Sequence, residues 1–310
     1  MRHIFVVNPC AGGVDSSKLL TESLNGLSYN TELYITHAPH DATRFVAEQL
    51  QATDGEDLRF YACGGDGTLN EVVEGVLKGM QGAKSGERSV EVACYPCGSG
   101  NDYVKCWPEY DFSDLEALMA GQAVKVDVMR VNDFCCINVM NFGFEAEVCR
   151  TMQNVRRWPL VGGQVAYTTG IVHSLLKKRR TEIVITVDGQ PFVAGQMLLG
   201  SAASGRFVGG GYLCAPRAVP DDGQLEILAI DSIGIPRFAS LIGLYREGKH
   251  LDDPRTRDIV HITSGQRVLF EGPKDFSIVV DGEVHRGRHF EVKCLPGAMN
   301  FVLPNMSDNK

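Results

Sequence analysis

The chain has 310 residues, 44% hydrophobic and 22% charged, with a formal net charge of −8. That composition fits a globular protein with a sizeable core and room for two domains. The acidic balance excludes broad nucleic-acid binding, which needs a basic surface.

Taken in order, "RHIFVVNP" reads as a strand and residues 15 to 26 suit a helix. "TELYITH" is a strand, and "DATRFVAEQL" an amphipathic helix with Asp41 as its expected N-cap. "RFYACGG" is a strand, and Leu69, Val72, Val73, Val76 and Leu77 then recur at helical spacing. "VEVACYP" is a strand, and "FSDLEALMAG" a helix closed by glycine. This βαβα order predicts an α/β domain over residues 1–125, built on a parallel sheet. From about Val124 the pattern changes. "VKVDVMRVN", "FCCINVMNFGF", "TEIVITVDG", "FVAGQMLLGSA", "GQLEILAID", "RVLFEG", "FSIVVDGEV" and "RHFEVKCL" read as strands, with helices near 145–155, 163–178 and 236–247. Residues 126–310 are therefore expected to form a β-rich domain. The last strand-like stretch, "GAMNFVLP", is a candidate to return to the first domain.

Ten cysteines fall largely inside apolar runs, as Cys63, Cys94, Cys135 and Cys136 do. There a reduced thiol acts as a small hydrophobe. The start "MRHIFVVNP" is too short an apolar run for a signal peptide, and no stretch reaches the roughly 18 apolar residues of a spanning helix. A reducing, cytoplasmic compartment is expected. Cys94 and Cys97 form one CxxC with no second ligand pair, and His37 with His40 is a poor metal signal, so neither is read as a metal site.

Three glycine-bearing loops follow strand ends: "NPCAGG" (8 to 13), "GGDGT" (64 to 68) and "PCGSGND" (96 to 102). In an open α/β sheet, ligands bind beyond the carboxyl ends of the strands. A glycine turn at a helix start lets an anion approach free backbone N–H groups. No GxxxxGK[ST] and no GxGxxG after the first strand is present, so the pattern is neither a Walker loop nor a dinucleotide fingerprint. It points to a polyphosphate. Asp66 inside such a turn would repel phosphate unless a divalent cation intervened, directly or through water. Its plainer alternative is to cap the helix that follows. Glu71, on that helix, either joins the water shell or faces solvent.

"CGGDGTLNEVVEGV" resembles the signature of the diacylglycerol-kinase-like lipid kinases, the group that includes bacterial lipid kinases, sphingosine kinases and ceramide kinases. "VVNPCAGG", "YPCGSGNDYVK", "NFGFEAEV", "GGGYLCAPRAVPDDGQLEI" and "VVDGE" resemble its other motifs, in the family's order, from residue 4 to about 304. The resemblance implies an N-terminal α/β domain of the NAD-kinase and diacylglycerol-kinase type, plus a C-terminal antiparallel β-sandwich. It implies ATP and Mg²⁺ as cofactors. Asn8, Thr36, Ser99 and Asn101 would line the nucleotide, with Asp102 following. Gly64, Gly65, Asp66, Gly67, Thr68, Leu69 and Asn70 would cradle the phosphates, and Asp66 would bind the catalytic magnesium. Asp222 would hold a structural magnesium with the carbonyls of Val219 and Gln224, and Glu283 would be the general base. Cys10 stands where a small hydroxyl residue is common, and Ser99 replaces a threonine but keeps the hydroxyl.

The expected function is phosphorylation of a diacylglycerol-like lipid hydroxyl at a membrane surface reached peripherally. The product would be a phosphomonoester such as a phosphatidic acid. Two rivals stand beside it: a kinase for a soluble acceptor such as NAD, and a binding module without turnover. The run Lys177, Lys178, Arg179, Arg180 is either solvated helix-end charge or a contact with anionic membrane. Neither the particular lipid nor the oligomeric state is encoded in any motif.

Overall fold

The computed structural model describes residues 1–13, 16–25, 29–53, 55–82, 88–147, 149 and 180–306. It divides into two units: Met1–Asp127 with Gly297–Lys310, and Val128–Pro296.

In the first unit β1 (Arg2–Val7), α1 (Ser17–Leu24), β2 (Thr31–Ile35), α2 (Asp41–Ala52), β3 (Leu58–Gly64), α3 (Asp66–Gly82), β4 (Val90–Pro96) and α4 (Leu115–Met119) follow one another. β1 pairs in parallel with β2 on one side and β3 on the other, and β4 lies parallel beyond β3. The last strand of the chain, His289–Leu303, adds in parallel beside β4 through Asn300 and Phe301. Ile4, Phe5, Val6 and Val7 are wholly buried, and so is almost all of β3, as expected of central parallel strands. The chain runs outward from β1 to β2, then crosses back to β3. The carboxyl ends of β1 and β3 therefore flank a topological switch point, where such sheets bind ligands.

Arg59 is buried inside β3 yet satisfied. It meets Glu91 at 2.7 Å and the carbonyls of Met119 and Gly121 at 2.7 and 3.0 Å. It thus offsets its own charge and caps the end of α4. Asp114 caps the start of α4 by accepting the Ala117 N–H at 3.0 Å.

Asp41 is not the cap of α2. The cap position is His40, in left-handed backbone, and Asp41 is the first helical residue. Its carboxylate instead accepts from the His37 N–H, the Tyr34 hydroxyl and Arg44.

The second unit is antiparallel. Its strands are β5 (Gln122–Val131, which begins in the first unit), β6 (Phe134–Cys136), β7 (Val139–Gly143), β8 (Thr181–Val187), β9 (Gln190–Ala203), β10 (Phe207–Val208), β11 (Tyr212–Leu213), β12 (Leu225–Asp231), β13 (Val260–Gly265), β14 (Arg267–Glu271), β15 (Ser277–Val280), β16 (Glu283–Arg286) and β17 (His289–Leu303). One helix, α5 (Ile235–Arg246), separates β12 from β13. Alternation decides the layers. Met140, Phe142, Ile227 and Ala229 enter one core, with Phe270 and Val292. Val139, Leu228 and Ile230 enter a second core under α5, with Phe238 and Leu241. β7 and β12 are thus apolar on both faces.

Three expectations change here. "FCCINVMNFGF" forms two strands, because Asp281 binds the backbone at the break. Its carboxylate accepts the N–H groups of Ile137 (2.7 Å), Asn138 (3.2 Å) and Val139 (3.1 Å). "RHFEVKCL" and "GAMNFVLP" are one strand, β17, which continues through Gly297 in left-handed backbone. "VHITSG", with no strong pattern of its own, is β13, held by its ladder with β12. The region near 145–155 is helical where described, at 145–147 and 149. The expected helix 163–178, and Lys177, Lys178 and Arg179, lie outside the described residues, while Arg180 is exposed.

Candidate phosphate-binding site

The three loops meet within the first unit. The Asn8 N–H donates to Cys63 of β3, and the N–H groups of Cys97 and Gly98 both donate to the Gly64 carbonyl at 2.9 and 3.1 Å. Such contact demands glycine. A Cβ on Gly98 would lie 2.4 Å from the Gly65 Cα. One on Gly12, at φ +63°, would lie 2.3 Å from the Cys97 carbonyl oxygen. The glycines thus let the loops pack backbone against backbone beside the start of α3, the condition for close contact with an anion.

Side chains lock this arrangement. Asn8 Nδ2 donates to Thr68 Oγ1 at 3.1 Å, and Asn8 Oδ1 accepts the Cys10 N–H. Asn101, in left-handed backbone, spans its own loop. Its Oδ1 accepts the Gly98 N–H at 3.0 Å and its Nδ2 donates to the Gly98 carbonyl at 2.8 Å. Thr36 leans on the end of β1 through Val7. Leu69 is fully buried, and its N–H closes the first turn of α3 onto Gly65. Gly67 and Ser99 are exposed, and Asn70 is half-buried. A cavity of about 350 Å³ opens beside the first and third loops, with Gly12, Ser16, Leu20, Tyr95, Cys97 and Ser99 in its wall. Burial pushes the Cys94 and Cys97 thiols up, so that CxxC pair is protonated at neutral pH.

Asp66 does more than sit at a helix start. Its Oδ1 accepts the N–H groups of Asp102 (2.7 Å) and Tyr103 (3.0 Å), thirty-six and thirty-seven residues away. It thereby caps the 3₁₀ turn Tyr103–Cys106. Glu71 is half-buried, and its Oε2 accepts the Ala42 N–H at 3.3 Å, at the start of α2.

The donor set around Asp66 suits a hard cation. A Cβ on Gly100 would lie 3.0 Å from Asp66 Oδ2 and 3.5 Å from Asp102 Oδ2, so both carboxylates face one small space. Among the described residues no group of three or more His, Cys, Asp or Glu stands at metal-holding geometry. Two carboxylates, with water and phosphate completing the shell, is how magnesium is usually held. Lys105 ends the motif "YPCGSGNDYVK", but no role for it was read from the sequence. Its Nζ lies 2.6 Å from Asp102 Oδ1.

The remaining predicted residues lie in the second unit. Asp222 is exposed, and its Oδ1 accepts the Gln224 N–H at 2.9 Å, an Asx-type turn. Val219 and Gln224 are half-buried beside it. Glu283 is exposed and opens β16, paired with Val280 across the Asp281–Gly282 turn. Both turn residues have positive φ, the two-residue hairpin geometry that favours Asp-Gly.

Glu226 follows the Asp222 turn and is buried. It accepts the Arg217 N–H at 2.7 Å, while its other carboxyl oxygen has no well-formed hydrogen bond among the described residues. Burial pushes this carboxyl up to about 7. The folded value exceeds the unfolded one, so the stability it contributes is full below about pH 4.5 and is lost as pH rises toward 7. Thermal melts of Glu226→Gln against the parent should diverge over that window. The parent alone should lose on the order of 3 kcal/mol. Parallel pH profiles would refute this.

Fold and site define a class: an α/β domain with glycine loops at the carboxyl edge of its parallel sheet, joined to an antiparallel β-domain. The diacylglycerol kinase catalytic domain matches residues 2–131, and the YegS C-terminal NAD kinase beta sandwich-like domain matches residues 138–303. The chain belongs to the YegS-like lipid kinase family. It is 30% identical over 302 residues to the "Probable lipid kinase YegS-like" of Enterobacter sp. (strain 638), covering 93% of this chain and 92% of that one. It is 28% identical over 279 residues to the "Probable lipid kinase YegS" of Salmonella paratyphi A, covering 87% and 85%. The crystal structure of a diacylglycerol kinase from Bacillus anthracis str. Sterne shares the fold, with a TM-score of 0.68 at 19% identity and coverage of 97% and 96%.

Proposed function

We propose that this chain is an ATP- and magnesium-dependent kinase that phosphorylates a diacylglycerol-like lipid hydroxyl. The observation that carries the reading is the convergence of Asp66 and Asp102 where three glycine loops meet. Phosphoryl transfer needs positioning and charge neutralisation more than covalent help. In this reading the backbone of Gly64 to Asn70 orients the phosphates, while Asn8, Thr36, Ser99 and Asn101 border the nucleotide. Asp66 and Asp102 hold the magnesium, which withdraws charge from the phosphates when bound. Glu283 takes the proton from the acceptor hydroxyl. Asp222, with the carbonyls of Val219 and Gln224, holds a second, structural magnesium; its all-oxygen donor set suits that ion.

Among the described residues no helix is long and apolar enough to cross a membrane. The lipid is reached peripherally, from the cytoplasm. ATP consumption should rise severalfold when mixed micelles containing diacylglycerol are added, with phosphate appearing on the lipid. Turnover with NAD as acceptor and none with lipid would favour the soluble-acceptor reading. Nucleotide binding without turnover on either would favour a binding module.

A further inference from the structure

The loops that face the phosphates carry carboxylates and no cation. None of "NPCAGG", "GGDGTLN" and "PCGSGND" contains Lys, Arg or His. Asp66 and Asp102 nevertheless face one space, and Asp102 is only 5% exposed. Two such carboxylates repel and need a positive partner. Lys105 supplies it at 2.6 Å from Asp102, one 3₁₀ turn further on. Its side chain is 32% exposed, so the ammonium is not sealed in place.

We propose that Lys105 is an exchangeable counter-cation. It offsets one of the two charges of the Asp66–Asp102 pair, at Asp102, while no divalent cation is bound, and turns to the polyphosphate once a divalent cation takes the carboxylates. This rests on the reading of Asp66 as a metal carboxylate. Two considerations support the exchange. An ammonium and a divalent cation compete for the same oxygens, because either one raises the cost of the other at that distance. Lysine is also the residue suited to letting go. It is a point charge on a flexible four-carbon stem, whereas an arginine fork would hold a carboxylate by two bonds. A polyphosphate at these loops would otherwise meet no cationic side chain of the loops themselves.

The test is a Mn²⁺ titration of the nucleotide-free protein, read by electron paramagnetic resonance, paired with steady-state kinetics. Lys105→Met should bind Mn²⁺ about two- to fivefold tighter than the parent, as expected when a partly exposed competing ion pair is removed. The same variant should show a raised KM for the magnesium nucleotide. Lys105→Arg, which keeps the charge and can grip the carboxylate by two bonds, should bind Mn²⁺ no tighter than the parent. Should Lys105→Met fail to fold, Lys105→Gln gives the same comparison with a hydrogen bond to Asp102 retained.

Mn²⁺ affinity of Lys105→Met equal to or weaker than the parent's would overturn the exchange and leave Lys105 as a brace for Asp102. So would equal tightening in Lys105→Arg, because competition by charge would then not be the cause. Asp66→Asn separates the two layers. If it binds Mn²⁺ as the parent does, the metal reading of Asp66 itself falls. If it loses the ion while Lys105→Met matches the parent, only the exchange falls.

Discussion

Asp66→Asn should lower the rate of lipid phosphorylation by at least about 10²-fold, the usual scale for losing one preorganised charge partner of a transition state. Asparagine is the informative substitution because Asp66 has two tasks. Its Oδ1 accepts the N–H groups of Asp102 and Tyr103, holding the third loop against α3. An asparagine oxygen can still accept them, so the loop stays capped while the charge is lost. Asp66→Ala removes both and should add a capping loss of about 1 kcal/mol. The two variants should therefore share the activity loss but differ in thermal midpoint. If Asp66→Asn keeps activity within a few-fold of the parent while Asp66→Ala does not, Asp66 acts as a cap and the cation is held elsewhere.

That dual role shows where sequence reasoning stops. The α/β order, the parallel sheet and the three loops at its carboxyl edge were legible because each rests on local pattern: apolar runs, helical spacing, glycine turns. Asp66 was legible as an odd charge in a glycine turn at a helix start. Its hydrogen bonds to residues 102 and 103 were not, since nothing local encodes a contact across thirty-six residues. The same gap hid Glu71, whose carboxylate turns to α2, and Lys105, whose partner is a loop aspartate. In the second unit "FSIVVDGEV" reads as a strand but folds as two, joined by a hairpin turn at Asp281–Gly282. The work of Asp281 was not legible. Its carboxylate gathers three backbone N–H groups from residues 137 to 139 and splits a run that reads as one strand. β13 was missed because "VHITSG" pairs with β12 without alternation strong enough to announce it.

Glu283→Gln should slow phosphoryl transfer by about 10²–10⁴-fold, the range typical of a positioned general base. A lipid hydroxyl is a poor nucleophile until its proton leaves, and glutamine keeps the shape of glutamate without its basicity. The structure makes this substitution a clean one. Glu283 is exposed, and its backbone pairs with Val280, so the ladder that sets the hairpin does not depend on the carboxylate. Thermal stability should stay within about 0.5 kcal/mol of the parent, as for an exposed surface change. The neighbouring Asp281→Ala should do the reverse. Removing the acceptor of three backbone N–H groups should cost stability first, on the order of 1–3 kcal/mol for each buried donor left unpaired. Affinity for ATP should be close to normal in Glu283→Gln, because the groups assigned to the nucleotide all lie on the loops of the first unit. Nucleotide titration and single-turnover rates measured on the same samples decide the matter. An unchanged single-turnover rate would reduce Glu283 to a turn residue. A fall in ATP affinity as large as the fall in rate would make it a support for the nucleotide. The base would then be sought at Asp102, whose carboxylate shares the space beside Asp66.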